Sequence, residues 1–169
     1  FLEILPPVDY FHEKFIDGYM QTFDGLTDQN GDIVFSSSMQ YSKGVMETVN
    51  EDGDIYYYTL RQIPTDIEIA GRAIIKAYGV KKRFFHFEFF RTPAGKVVAL
   101  EVNMRPPGGM TTDMWNYAND IGVYREYANV VAFNRFEAKV THPYFCAYLG
   151  RRSDHPYVHT IEEILEAFP

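Results

Sequence analysis

The segment from Arg83 to Arg105 constrains this chain most, because it reads as two strands folded back on each other. Alternate side chains of a strand share a face, so Phe85, Phe87 and Phe89 lie on one side and His86 and Glu88 on the other. Pro93-Ala94-Gly95-Lys96 supplies the turn. On the return, Glu101, Asn103 and Arg105 share a face, with Val98, Leu100, Val102 and Met104 behind them. A symmetric four-residue turn pairs Thr92 with Val97, which sets Glu88 opposite Glu101 and His86 opposite Asn103. Such neighbours stand about 5 Å apart, and like charges there repel. A hard divalent cation relieves this, since magnesium takes oxygens from one or two carboxylates and completes its shell with phosphate oxygens. On pattern alone, a solvated sheet face with Arg105 neutralising one glutamate is an equal reading.

Runs rich in Tyr, Phe, Val and Ile predict further strands near 12–16, 19–28, 31–41, 54–63 and 142–150. Asp28-Gln29-Asn30-Gly31 and Asn50-Glu51-Asp52-Gly53 read as hairpin turns. A helix over 65–78 is expected to start at Thr65 as N-cap, with Glu68 closing a capping box, and to end at Gly79. Helical spacing returns at 111–119, 121–134 and 160–168. The expected architecture is α+β: an antiparallel sheet packed against helices on one face, with the other face open and carrying the acids.

The 169 residues suffice for one domain with a core. A formal charge of −7 excludes a phosphate-backbone partner, which needs clustered Lys and Arg, so no nucleic acid is expected. No stretch approaches the roughly 20 apolar residues of a membrane span. The single Cys146 forms no internal disulfide and reads as a buried thiol, which fits a cytoplasmic protein. Opening on Phe1, the chain reads as a piece of something longer.

Glu101-Val102-Asn103-Met104-Arg105-Pro106-Pro107-Gly108-Gly109 resembles the Glu-x-Asn-x-Arg signature of the ATP-grasp superfamily, with Glu88 where the first metal-binding glutamate of that family stands. Glu13-Lys14-Phe15-Ile16-Asp17-Gly18 resembles its hinge, whose backbone holds adenine. The resemblance covers residues 8–133 and leaves 134–169 as an extension of unassigned role. It implies that Glu13, Lys14, Phe15 and Ile16 hold the base and Phe90 covers it. Glu88 and Glu101 would bridge Mg2+ (or Mn2+), with Asn103 as a further ligand and Arg105 meeting phosphate or substrate. Met20 stands where the family carries an acid for the ribose hydroxyls, which leaves Asp17 as a substitute or the ribose loosely held. Phe23-Asp24-Gly25, Ser36-Ser37-Ser38 and the Pro-Pro-Gly-Gly loop look most like carboxylate-amine ligases related to carbamoyl-phosphate synthase and biotin carboxylase.

The resemblance implies a ligase that spends ATP to join a small-molecule carboxylate to an amine through an acyl phosphate. The amino-terminal lobes of that fold, including the one bearing the phosphate-closing lysine, are expected to lie before Phe1. A homodimer is compatible with this, and the piece alone is expected to be inactive. The alternative is a nucleotide-binding or assembly module without chemistry. The five histidines show no zinc spacing, and His86 alone stands beside the acids. Arg151-Arg152 reads as a solvated pair.

Overall fold

The computed structural model describes residues 9–10, 12–42, 44, 48, 50 and 52–168. Seven strands form one antiparallel sheet: β1 (Tyr19–Thr27), β2 (Ile33–Ser37), β3 (Met39–Tyr41), β4 (Tyr56–Thr59), β5 (Phe84–Arg91), β6 (Val97–Asn103) and β7 (Ala147–Leu149). Their order is β6-β5-β1-β3-β4-β7, with β2 also on β1. Among the described residues four helices are delimited: α1 (Thr65–Tyr78), α2 (Thr111–Asn119), α3 (Val123–Phe133) and α4 (Ile161–Ala167). The α+β antiparallel expectation holds.

β1 is the spine, laddered to β5 from Tyr19↔Arg91 to Leu26↔Phe84. On one face Phe23, Phe85, Phe87 and Phe89 are buried against Ile67 and Ile75 of α1. Burying each such ring contributes roughly 1.5–3 kcal/mol. Helix α1 comes this close because Gly71 has no side chain: a Cβ there would stand 2.0 Å from the Phe23 ring. The opposite face, expected to be open, is covered at one end, where Leu26 and Phe84 pack on Trp115 of α2 and on Val123 and Val130 of α3. The acids thus lie on a face that is only partly open.

The β1–β2 turn forms as read. Asp28 Oδ1 accepts the backbone N–H groups of Asn30, Gly31 and Asp32 at 2.8, 3.0 and 2.9 Å, and Gly31 takes φ +93°, which costs glycine nothing. The strand expected over 31–41 starts at Ile33 and is interrupted at Ser38, and β2 and β3 keep a single register on β1, with Asp24↔Ser37 and Gln21↔Gln40.

Other expectations are corrected. Residues 12–16 form no strand. β3 and β4 do pair antiparallel, while the turn read at 50–53 includes Glu51, which lies outside the described residues. The expected cap at Thr65 fails, since the N-cap is Pro64, without a side-chain bond. Glu68 pairs instead with Arg72 at 2.7 Å. The strand expected over 142–150 shrinks to Ala147–Leu149, because Pro143 has no N–H and the Cys146 N–H bonds the Thr59 hydroxyl at 2.9 Å. Cys146 is half-buried rather than buried. Arg152 is not solvated alone but pairs with Asp52 and Asp154, while Arg151 lies over the Tyr157 ring.

Arg91 ties α1 to the sheet with two 2.7 Å bonds to Asp66 and a 2.9 Å bond to Gln21. The guanidinium holds the Asp66 carboxyl down at about 2, against an ordinary 3.8. A depressed carboxyl stabilises the fold above its unfolded value and ceases to as pH falls through the folded one. Asp66→Asn should therefore cost up to about 1 kcal/mol at pH 6, the pair being partly exposed, and urea melts should show the gap closing between about pH 4 and pH 2. Gly71→Ala should lose about 1–3 kcal/mol in the same assay through overpacking, despite the roughly 1 kcal/mol alanine gains by helix propensity.

Candidate functional site

The β1–β5 ladder sets Thr22 against Glu88 and Asp24 against His86, and the four side chains form one connected row. His86 bonds Asp24 Oδ1 through Nδ1 at 2.7 Å and Glu88 Oε1 through Nε2 at 3.1 Å. Ionised carboxylates only accept, so both ring nitrogens donate. Burial alone depresses the imidazole, but the hydrogen bonds it donates to Asp24 and Glu88 outweigh this and push the group up to about 10. Burial raises the Asp24 carboxyl, and His86 works against that rise. Thr22 Oγ1 donates to the other Asp24 oxygen and accepts the Met39 N–H at 3.1 Å.

β6 carries the second acid. Glu88 is the partner of Glu101, and His86 of Asn103, as the sequence implied. The turn register differs: Arg91, not Thr92, pairs with Val97, and a bulge takes up the difference, Glu88↔Glu101 being followed by Phe89↔Ala99. Leu100 is the extra residue. It lies with Glu101 along the cleft rather than behind it, whereas Val102 and Met104 do pack on the phenylalanine side.

That cleft, of about 640 Å³, joins the two sequence blocks. Glu13, Lys14, Phe15 and Ile16 line it together with Met20, Glu88, Phe90, Leu100 and Glu101. Phe15 is 75% exposed, an apolar ring on the wall of a cleft. Asp17, Asn103 and Arg105 do not line it. Asp17 is exposed, and Arg105 bonds the Pro106 carbonyl at 3.0 Å just past the end of β6. Met20 is 1% exposed and belongs to the core with Met39, Tyr41, Tyr57 and Met114.

Among the described residues no group of three or more His, Cys, Asp or Glu is placed to hold a metal by itself. The residues do fit a magnesium shared with phosphate oxygens, which needs only one or two carboxylates. Glu88 and Glu101 are direct partners, and the buried Asn103 Nδ2 has no partner. A half-turn of that amide presents its carbonyl oxygen instead. The charge compensation expected from a cation alone is supplied in part by His86. The residue that sequence reasoning passed over is Asp24, quoted only within Phe23-Asp24-Gly25. Its signal was an acid placed among apolar residues of a central strand.

No family model and no curated protein matches this chain. Solved structures do. The biotin carboxylase domain dimer of Hydrogenobacter thermophilus 2-oxoglutarate carboxylase, in complex with MgADP, ADP and bicarbonate, matches with TM-score 0.58 at 16% identity, over 80% of this chain and 30% of that one. L-amino acid ligase from Bacillus licheniformis matches with TM-score 0.57 at 16% identity, over 79% and 34%. The phosphoribosylaminoimidazole carboxylase ATPase subunit from Aquifex aeolicus matches with TM-score 0.51 at 16% identity, over 67% and 34%. At these identities the likeness is one of fold: the chain shares the architecture of part of each of these structures. It spans about a third of the length of these structures. Among the described residues no helix is long and apolar enough to cross a membrane.

Proposed function

We propose that this chain is the nucleotide- and magnesium-holding part of a ligase that activates a small-molecule carboxylate with ATP and passes it to an amine. One observation carries the reading: Glu13–Ile16 and the Glu88/Glu101 pair, more than seventy residues apart in sequence, line a single cleft. Its lining is largely apolar with three acids, Glu13, Glu88 and Glu101, a composition that suits a base and a metal-bound phosphate chain.

Glu13, Lys14, Phe15 and Ile16 would hold the base, with Phe90 against its flat face, and the exposed Asp17 would stand toward the ribose. Glu88, Glu101 and Asn103 would hold magnesium, which when bound neutralises charge on the phosphoryl group under transfer. A carboxylate oxygen of the substrate attacks the γ-phosphorus, the bond to the ADP oxygen breaks, and an acyl phosphate forms. The amine nitrogen then attacks the acyl carbon, phosphate departs with the electron pair, and the amine proton passes to solvent. Arg105, free of any acidic partner among the described residues, would stabilise developing negative charge at the acceptor. A carbamoyl-phosphate synthase-like chemistry, a homodimer and a cytoplasmic setting belong to this same proposal, as does the requirement for amino-terminal lobes to complete the active site.

A second reading is a binding module without turnover, and the buried Met20 at the ribose position favours it. Calorimetry separates the two. This chain should bind ATP more tightly with Mg2+ than without, and Glu101→Gln should remove at least about tenfold of that gain, roughly 1.4 kcal/mol. In the full-length protein Glu101→Gln or Asn103→Ala should abolish ATP turnover while leaving the circular dichroism spectrum intact. Near-normal turnover in both variants would overturn the ligase assignment, and magnesium-dependent binding with no turnover in the unmutated protein would select the module.

A further inference from the structure

Resting on the cation reading above, we propose that Asp24 and His86 are positioning residues that aim the Glu88 carboxylate at the face it shares with Glu101. A glutamate side chain has three rotatable bonds, and a half-buried one at a cleft edge has several orientations open to it. Here Oε1 is pinned by His86 Nε2 at 3.1 Å. The ring cannot swing away, because Nδ1 is tied to Asp24 at 2.7 Å and both residues are buried. Asp24 is fixed in turn through its second oxygen by the Thr22 hydroxyl. Thr22 is fixed by the Met39 N–H, which is directed to it where β2 gives way to β3. The backbone repeats the arrangement, since Thr22↔Glu88 and Asp24↔His86 are successive same-face pairs of one ladder.

An ion pair serving stability alone needs one acid. This ring has two, and the second lies on the cleft wall opposite Glu101. With Oε1 engaged by the ring, the carboxylate is held in one orientation, and Oε2 keeps both of its lone pairs for a cation. Partners that orient a ligand in this way typically change metal affinity about 10–100-fold when removed. The row therefore sets how strongly the cation is held, whereas nucleotide contacts along Glu13–Ile16 do not depend on it.

The test is Mn2+ uptake in the presence of ADP, read from loss of the free-ion electron paramagnetic resonance signal, beside ADP binding without metal, read by calorimetry. On the intact chain, His86→Phe and Asp24→Asn should weaken Mn2+ uptake about tenfold or more, with metal-free ADP binding changed less than about twofold. His86→Gln, which keeps an N–H donor, should recover part of the loss. Should His86→Phe not fold, Asp24→Asn and His86→Gln carry the comparison, each checked by circular dichroism. Unchanged Mn2+ uptake in Asp24→Asn and His86→Phe, or an equal loss of metal-free ADP binding, overturns the proposal and leaves the pair a structural tie. Failure of the underlying reading looks different: Glu101→Gln takes up Mn2+ as the unmutated chain does, or the unmutated chain takes up none, and both conclusions then fall together.

Discussion

The contact between Asp24 and His86, 2.7 Å long and closed off from water, governs how this sheet is assembled. Taking an isolated charge out of water costs several kcal/mol, and only a well-placed partner offsets it. The pair is satisfied in one register of β1 against β5. A slip of one residue would turn His86 toward the α1 side and bring Phe85 or Phe87 to the acid face. The same register buries Phe23 over Phe85 at 5.2 Å between ring centres, so the apolar and polar faces of the ladder select the same alignment. Agreement between the two faces is what gives a sheet one structure rather than several.

From that ladder the cleft follows. Glu88 is two residues beyond His86 and so lies on the same face, and the antiparallel return of β6 brings Glu101 to it. Leu100 reconciles two demands that a regular hairpin could not meet. The turn bonds Thr92 to Lys96, which taken alone would shift β6 by one residue at the acids. The bulge absorbs that residue and sends Leu100 into the cleft wall. Bulges are frequent beside functional sites for this reason: they re-aim one side chain without disturbing the rest of the strand.

Helices α2 and α3 fill the far end of the acid face, so the cleft is a bounded recess rather than an open sheet surface. Glu126 of α3, 1% exposed, accepts the Glu137 N–H at 2.7 Å and ties the segment after α3 to the core. Phe136 and Val140 pack on the same cluster as Leu26 and Trp115, and β7 lengthens the sheet beyond β4. Phe136, Val140 and β7, in a stretch to which the sequence assigned no role, thus build the outer edge of the domain.

What the sequence by itself determined is whatever depends on neighbours along the chain. Alternation separated the phenylalanines from His86 and Glu88, helical spacing located α1, α2 and α3, and Asp28 with Gly31 made the first turn, whereas Glu88 meets Glu101 only because the bulge at Leu100 offsets the turn. Contacts between distant segments were decided only in three dimensions. Nothing near Asp24 announces that its partner is His86, because strand pairing order is a property of the whole sheet. Pro64 rather than Thr65 is the N-cap of α1, since tertiary packing and the Arg91 contact to Asp66 set where the helix starts. The meeting of Glu13–Ile16 with the acid pair likewise needed the folded chain: local pattern names the residues that carry chemistry, but distance between them is a tertiary quantity.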